Sequence, residues 1–282
     1  LYMQSLIRTC AEQIIRAWEQ RQPAVARYAT TEFGEDWVMN ISQPAEVDRT
    51  LTTLQFQDAG GRSLATFTNF ACHPTFVDAV YDQVSADYVG ALYSRLDSSL
   101  GGVNLFLQGS IGGWVQPENE PKTFDAAQYR GHELAEQVIR QLRQSTALSR
   151  SDLTFSKKVF QLPVVNPGFL LMSKAGVIKR GLAGGATTEV AWFTLGEATF
   201  ATHPGETVPA MSRMTRQLMN TSGPRFVLGL GMDALGYILN KEFFDPAQKV
   251  PHAEYLCSMS VGPETKEIIM QVLTELAQRS SH

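Results

Sequence analysis

Four times along this chain an apolar, strand-like run stops at glycine or proline with a polar residue set at the break. These are "ACHPTF" (71–76), "LQGSIGGWVQP" (107–117), "THPGETVPA" (202–210) and "MDALGYIL" (232–239). Such exits constrain the fold, because ligand sites in open α/β sheets lie at the ends of strands where the chain turns sharply. The segments between them supply the rest of the architecture. "VDRTLTTLQFQDAGGRSLATFTNFA" alternates as two strands around a turn at Asp58-Ala59-Gly60-Gly61. Residues 87–99 and 124–145 have helical periodicity, and the apolar-rich "VNLFLQGS" between them reads as a buried central strand. Residues 153–165 form a further strand, and residues 188–206 a hairpin around Leu195-Gly196-Glu197. A helix over 208–220, the buried strand "RFVLGLG" and a closing helix with apolar positions at 268, 269, 272, 273 and 276 complete the pattern. Residues 21–45 read as irregular, with Pro23, Gly34 and Pro44. Hairpins and crossovers together predict an α/β fold, a layered mixed β-sheet core flanked by helices, with residues 1–282 as a single domain.

The overall balance excludes several classes of function. The chain of 282 residues is 44% hydrophobic and 18% charged, with a formal net charge of −4. That balance supplies no electrostatic reason to bind nucleic acid or an anionic membrane. No apolar run approaches the roughly 18–20 residues of a membrane-spanning helix. Cys10, Cys72 and Cys257 are too widely spaced for a CxxC metal site. "LYMQSLIRTCAEQIIRAWEQ" has apolar residues at 6, 7, 10, 14, 15 and 18, an amphipathic helix that begins without a capping residue. This uncapped start carries the expectation that the chain is the downstream part of a longer polypeptide.

Two readings stand for most polar residues at the strand exits. His73 is either a core histidine satisfied by a carbonyl or a ring aimed at a ligand. Glu206 is either a first-turn helix carboxylate favoured by the dipole, or a metal ligand or general base. Asp87 either caps helix 87–99 or orients a ligand histidine. Asp233 either holds its turn or supports Tyr237. Ser110 reads as a turn residue in a glycine-rich setting. Cys72 reads as core, since successive strand residues face opposite ways. His132 and His282 read as a helix-surface and a terminal residue, and His252 is given no role. No HExxH or short ligand spacing occurs, so a metal site here must be assembled from distant loops.

Taken in order, "NFACHPT", "SADYVGAL", "FLQGSIGGWVQP", "THPGET", "GLGMDALGYI" and "AEYLCSMSVGP" resemble the catalytic domain of neutral/alkaline (non-lysosomal) ceramidases and their bacterial relatives. The resemblance runs from about residue 50 to residue 265. It implies one catalytic zinc ion held by two histidines, a glutamate and a tyrosine. His73 matches the second histidine, Glu206 the glutamate of the "PGE" motif and Tyr237 the tyrosine. Tyr255 resembles a tyrosine near the metal and the reacting carbonyl. His203 is implied as a contact to substrate or to the ligands, and Tyr255 or His203 as the catalytic group that steadies the oxyanion or the proton transfer. The first histidine belongs to a "THxHSGP"-like segment ahead of the helix equivalent to residues 1–20, so the fourth ligand is expected from a segment outside this sequence or from a partner chain.

The loop holding Gln108, Ser110 and Gln116 departs from the family pattern. Family members carry a serine before the proline, with a nucleophilic or substrate-contacting role, and Gln116 stands there in this chain. The implied activity is hydrolysis of an amide or related acyl bond by metal-activated water, on a small-molecule or lipid-like substrate. The alternatives are a non-catalytic relative that binds a ligand or assembles, as a homo-oligomer or with a partner, and a metal hydrolase acting on a non-lipid substrate.

Overall fold

The computed structural model describes residues 2–78, 81–118 and 120–280; His282 lies outside the described residues. Two mixed sheets lie face to face. The first has the order β5-β4-β3-β1-β7, from β1 (Val25–Glu32), β3 (Thr50–Gln57), β4 (Ser63–Phe70), β5 (Val103–Gln108) and the short β7 (Thr146–Ala147). The second has the order β12-β10-β9-β8, from β8 (Leu153–Leu162), β9 (Ala186–Leu195), β10 (Ala198–Thr202) and β12 (Arg225–Leu228). Each sheet is antiparallel except for one edge pair: β4 runs parallel to β5, and β10 parallel to β12. Two small ladders lie beside them, β2 (Val38–Asn40) with β6 (Val115–Pro117), and β11 (Glu206–Thr207) with β13 (Tyr237–Ile238).

Side-chain alternation explains the layering. On the inner face of the second sheet Phe193, Phe200 and Phe226 are register partners on β9, β10 and β12. Their rings stack at 4.6 and 4.4 Å. They meet Leu54, Phe56, Phe67 and Leu107 of the first sheet in one apolar cluster. The opposite face of the first sheet is covered by α2 (Asp87–Ser99) and α3 (Phe124–Leu142), and that of the second by α5 (Pro209–Leu218) and α7 (Thr265–Ser280). In α3 the buried positions Ala127, Arg130, Gly131, Leu134, Ala135 and Val138 fall on one helical face, and Thr123 caps it by accepting from the Ala126 N–H at 3.1 Å. The result is a four-layer helix–sheet–sheet–helix sandwich, in keeping with the α/β, sheet-and-helix class expected from the pattern.

Several expectations about elements change. "VARYATTE" within the supposedly irregular 21–45 is β1, paired with β3 over its whole length, and its half-exposed positions conceal the alternation. "VNLFLQ" is an edge strand rather than a central one: Val103 is 59% and Leu105 42% exposed. Two short helices, α4 (Pro167–Lys174) and α6 (Ala253–Ser258), also appear. The helix at the start, α1 (Tyr2–Glu19), forms as its periodicity requires, with every residue exposed.

The contact between α2 and α3 depends on a missing side chain. A Cβ on Gly131 would lie 2.2 Å from the Tyr88 carbonyl oxygen and 2.6 Å from the Ala91 Cβ. Gly131→Ala is therefore expected to force the helices apart and to lower unfolding free energy by about 1–3 kcal/mol, read from urea denaturation midpoints.

Candidate metal and catalytic site

The two parallel edge pairs bring the polar strand exits to one end of the molecule. Because β4 and β5 run in one direction, the chain leaves both at the same side, and the same holds for β10 and β12. The four exits are stitched together by backbone bonds: Gly109 N–H to the Phe70 oxygen at 2.9 Å, Gly229 N–H to the Gln108 oxygen at 2.8 Å, and His203 N–H to the Leu228 oxygen at 2.8 Å. All four polar strand exits of the sequence converge here.

His73 follows the end of β4. Its backbone N–H and its ring Nδ1 both reach the Val115 carbonyl oxygen, each at 2.9 Å. A carbonyl only accepts, so the bond places the hydrogen on Nδ1 and leaves the Nε2 lone pair facing outward. Nε2 lies 3.1 Å from Glu206 Oε2. Two acceptors aimed at each other at this distance call for a shared proton or a cation between them. Both side chains remain partly open to solvent.

Glu206 is not in a helical first turn. It lies on β11, three residues before α5 begins at Pro209, so the helix-dipole reading of this carboxylate falls away. β11 pairs in parallel register with β13, which sets Glu206 directly beside Tyr237. A Cβ on Gly205 would come within 2.5 Å of the Gly236 oxygen, so the "PGE" glycine lets these two turns touch. Burial, aided by the Glu206 carboxylate, pushes the Tyr237 phenol up to about 12. Its oxygen accepts a hydrogen bond from the Trp114 indole at 2.9 Å. Tyr255, on α6, is 51% exposed, and its ring centroid lies 6.4 Å from that of Tyr237 and 5.4 Å from that of Trp114. Asn166 fastens α6 in place by donating to the Ser258 and Ser260 carbonyls at 2.8 Å.

The remaining expected residues are placed elsewhere or act through the backbone. His203 is fully enclosed: Nδ1 meets Thr207 Oγ1 at 2.8 Å and Nε2 meets Thr215 Oγ1 at 2.9 Å. With both nitrogens bonded to buried hydroxyls it reaches no substrate, which corrects its expected catalytic part. Ser110 is equally buried, its hydroxyl 2.8 Å from Thr207 Oγ1. Asp87 accepts from the Val77 N–H at 2.9 Å, holding the loop after His73 rather than the ring, and from the Tyr88 N–H at 2.7 Å in the first turn of α2. Asp233 pairs with Arg180 and Thr188 and holds its own turn. Gln108 bridges strand ends, its side chain donating to the Phe70 oxygen at 3.4 Å. Gln116 sits on β6, 3.5 Å from Glu118. Cys72 is buried, as expected of a core thiol.

Two residues escaped the sequence reading. Trp114 stands at the centre of the site, and the His252 ring lies against it at 4.7 Å, tilted by 48°. The signal for Trp114 was present, since a large aromatic following Gly112-Gly113 in a strand-exit loop is an unusual turn composition. Among the described residues no group of three or more His, Cys, Asp or Glu converges. The available donors are one imidazole, one carboxylate and one phenol, a mixed nitrogen and oxygen set of the kind zinc accepts.

Burial lowers the His203 imidazole to about 3, with Arg216 adding to the effect. The folded state then binds fewer protons than the unfolded chain between pH ~6.5 and about 3. Stability is full above the unfolded value and declines as pH falls through this window. His203 alone is expected to contribute up to ~1.4 kcal/mol per pH unit to that slope. Urea titrations from pH 7 to pH 4 on the wild type and His203→Gln check it, the variant showing the shallower dependence.

No family model matches this sequence, and no curated protein matches it. Solved structures do. The neutral ceramidase from Pseudomonas aeruginosa superposes with a TM-score of 0.69 at 16% identity, over 94% of this chain and 54% of its own. A ceramidase complexed with C2 gives the same TM-score and identity, over 94% of this chain and 55% of that one. The chain thus spans about half the length of the ceramidases it matches, and over nearly all of its own length it has their fold.

Proposed function

We propose that this chain carries the zinc-binding part of a ceramidase-like hydrolase that cleaves an amide or related acyl bond. The observation that carries the reading is the meeting of His73 Nε2 and Glu206 Oε2 at 3.1 Å, with the Nδ1 hydrogen already committed to the Val115 carbonyl. In the neutral ring Nε2 offers a lone pair to a carboxylate oxygen, and of the two ways to reconcile them, a shared proton or a cation, we take a divalent cation. His73, Glu206 and the register-paired Tyr237 would hold the ion. Bound there, zinc supplies Lewis acidity toward a carbonyl and a water acidified toward pKa ~7.

The chain's own residues do the rest. The Val115 carbonyl fixes the imidazole tautomer and its direction, the support that metal-bound histidines commonly have. The exposed Tyr255 hydroxyl, across from Tyr237, stands where it can donate to a carbonyl oxygen that gains negative charge. Gln116 has no nucleophilic oxygen to accept an acyl group, and the Ser110 hydroxyl is sealed beneath the loop, so direct attack by water fits these residues better than an acyl-enzyme. The ceramidase fold favours a lipid-like amide as substrate.

Metal analysis of the purified protein tests the reading. About one zinc per chain is expected. His73→Ala and Glu206→Ala should each weaken zinc binding by at least about ten-fold. Both should also abolish release of fatty acid from a short-chain ceramide and from soluble N-acyl amides assayed in parallel. Absence of zinc uptake, or full zinc retention in both variants, sinks the proposal. Zinc binding without hydrolysis of any amide or ester assayed would favour a ligand-binding protein on the same scaffold.

A further inference from the structure

Trp114 combines a large side chain with an unusual backbone conformation beside the site. Its backbone sits at φ +62°, a left-handed conformation that a bulky side chain rarely adopts and that persists only where surroundings over-determine it. Those surroundings are explicit. Gly112 donates its N–H to the Thr207 oxygen at 2.8 Å, and a Cβ there would lie 2.5 Å from the Glu206 oxygen, so the loop is pressed against β11. On the other side, Ile41 donates to the Trp114 carbonyl at 3.1 Å and Ser42 to that of Gly113 at 3.1 Å. The ring of His252, itself left-handed at φ +60°, lies against the indole with its centroid 4.7 Å away and its plane tilted by 48°, and that of Tyr255 lies 5.4 Å away.

An indole has one polar hydrogen. Trp114 gives it to the Tyr237 phenol oxygen at 2.9 Å. We propose that Trp114 is a positioning residue for Tyr237, its indole N–H holding the phenol oxygen in place beside the His73–Glu206 pair. The left-handed backbone is what turns the indole edge inward, and the His252 and Tyr255 rings keep it from swinging out. The proposal deepens the zinc reading and rests on Tyr237 being one of the ligands. It assigns Trp114 no contact with substrate.

Two measurements on the full chain test it, one of which needs no metal. In metal-free protein labelled with ¹⁵N at tryptophan, Trp114→Phe identifies the Trp114 indole signal among the four tryptophans. Hydrogen exchange of that indole is expected to accelerate at least ten-fold in Tyr237→Phe, with the other three unchanged. Unchanged exchange at Trp114 overturns the proposal, whatever the protein does with zinc. The second measurement is a zinc-affinity cycle by chelator competition. Trp114→Phe should weaken binding by about ten-fold, the usual scale for a residue supporting a ligand. Tyr237→Phe should weaken it at least as much, and the double variant no further. Losses that multiply in the double variant mean that Trp114 acts on general structure and overturn the proposal. Wild type that binds no zinc refutes the functional reading instead, and the exchange experiment then decides Trp114 alone. Should Trp114→Phe fail to fold, Tyr237→Phe, which retains the indole, still decides it; the Trp114 signal is then assigned by its proximity to the His252 ring.

Discussion

The buried carboxamide of Asn69 joins the two sheets at the end where the chemistry is placed. Its amide nitrogen donates to the Leu107 oxygen on β5 at 2.8 Å and to the Val227 oxygen on β12 at 3.1 Å. Both of its donor hydrogens are thereby used, one along its own sheet and one across to the other. Just beyond, Gly229 and Gly109 bring the strand ends into backbone contact. A Cβ on Gly229 would lie 2.2 Å from the Gly109 oxygen, a distance that no side chain can occupy. This seam sets the separation of the four exit loops, and every distance in the site inherits it.

From the seam outward, backbone carbonyls and small ladders aim the functional side chains. The Val115 carbonyl directs His73, the two-residue pairing of β11 with β13 aligns Glu206 with Tyr237, and the Trp114 indole braces the phenol. Beneath them His203, Thr207, Ser110 and Thr215 form a closed polar layer in which each group meets another. That layer costs nothing in unpaired polar atoms and carries the turn between β10 and α5. A neutral imidazole suits it, since both ring nitrogens meet threonine hydroxyls and burial, with Arg216 nearby, disfavours the charged form.

Much of this was legible in the chain. The hairpins around residues 58–61 and 195–197, the helices at 87–99 and 265–280, and the importance of the four strand exits follow from periodicity and from glycine and proline placement, which are local properties. His73, Glu206 and Tyr237 lie at those exits but were singled out together only by the resemblance to ceramidases, and they come together although 133 residues separate the first two. His203 misled, because "THPGE" offers two titratable residues in one turn and a sequence does not say which points inward. β5 misled likewise: its apolar run matches a central strand, and only the neighbouring strand order reveals an edge.

The division has a physical basis. The sequence by itself determined the alternation of strands and helices, the amphipathic faces that stack into four layers, and the set of residues available at the strand exits. These depend on side-chain spacing within a few residues of one another. Only the tertiary structure decided which of those residues share a site. The direction of a side chain at a strand exit is set by bonds to segments tens to more than a hundred residues away: Val115 for His73, Gly236 for Glu206, Trp114 for Tyr237. Trp114 shows the division most sharply, for its identity is plain in the sequence, while its left-handed backbone, and hence the aim of its single N–H, exists only once β11 and the 40–42 segment close on it.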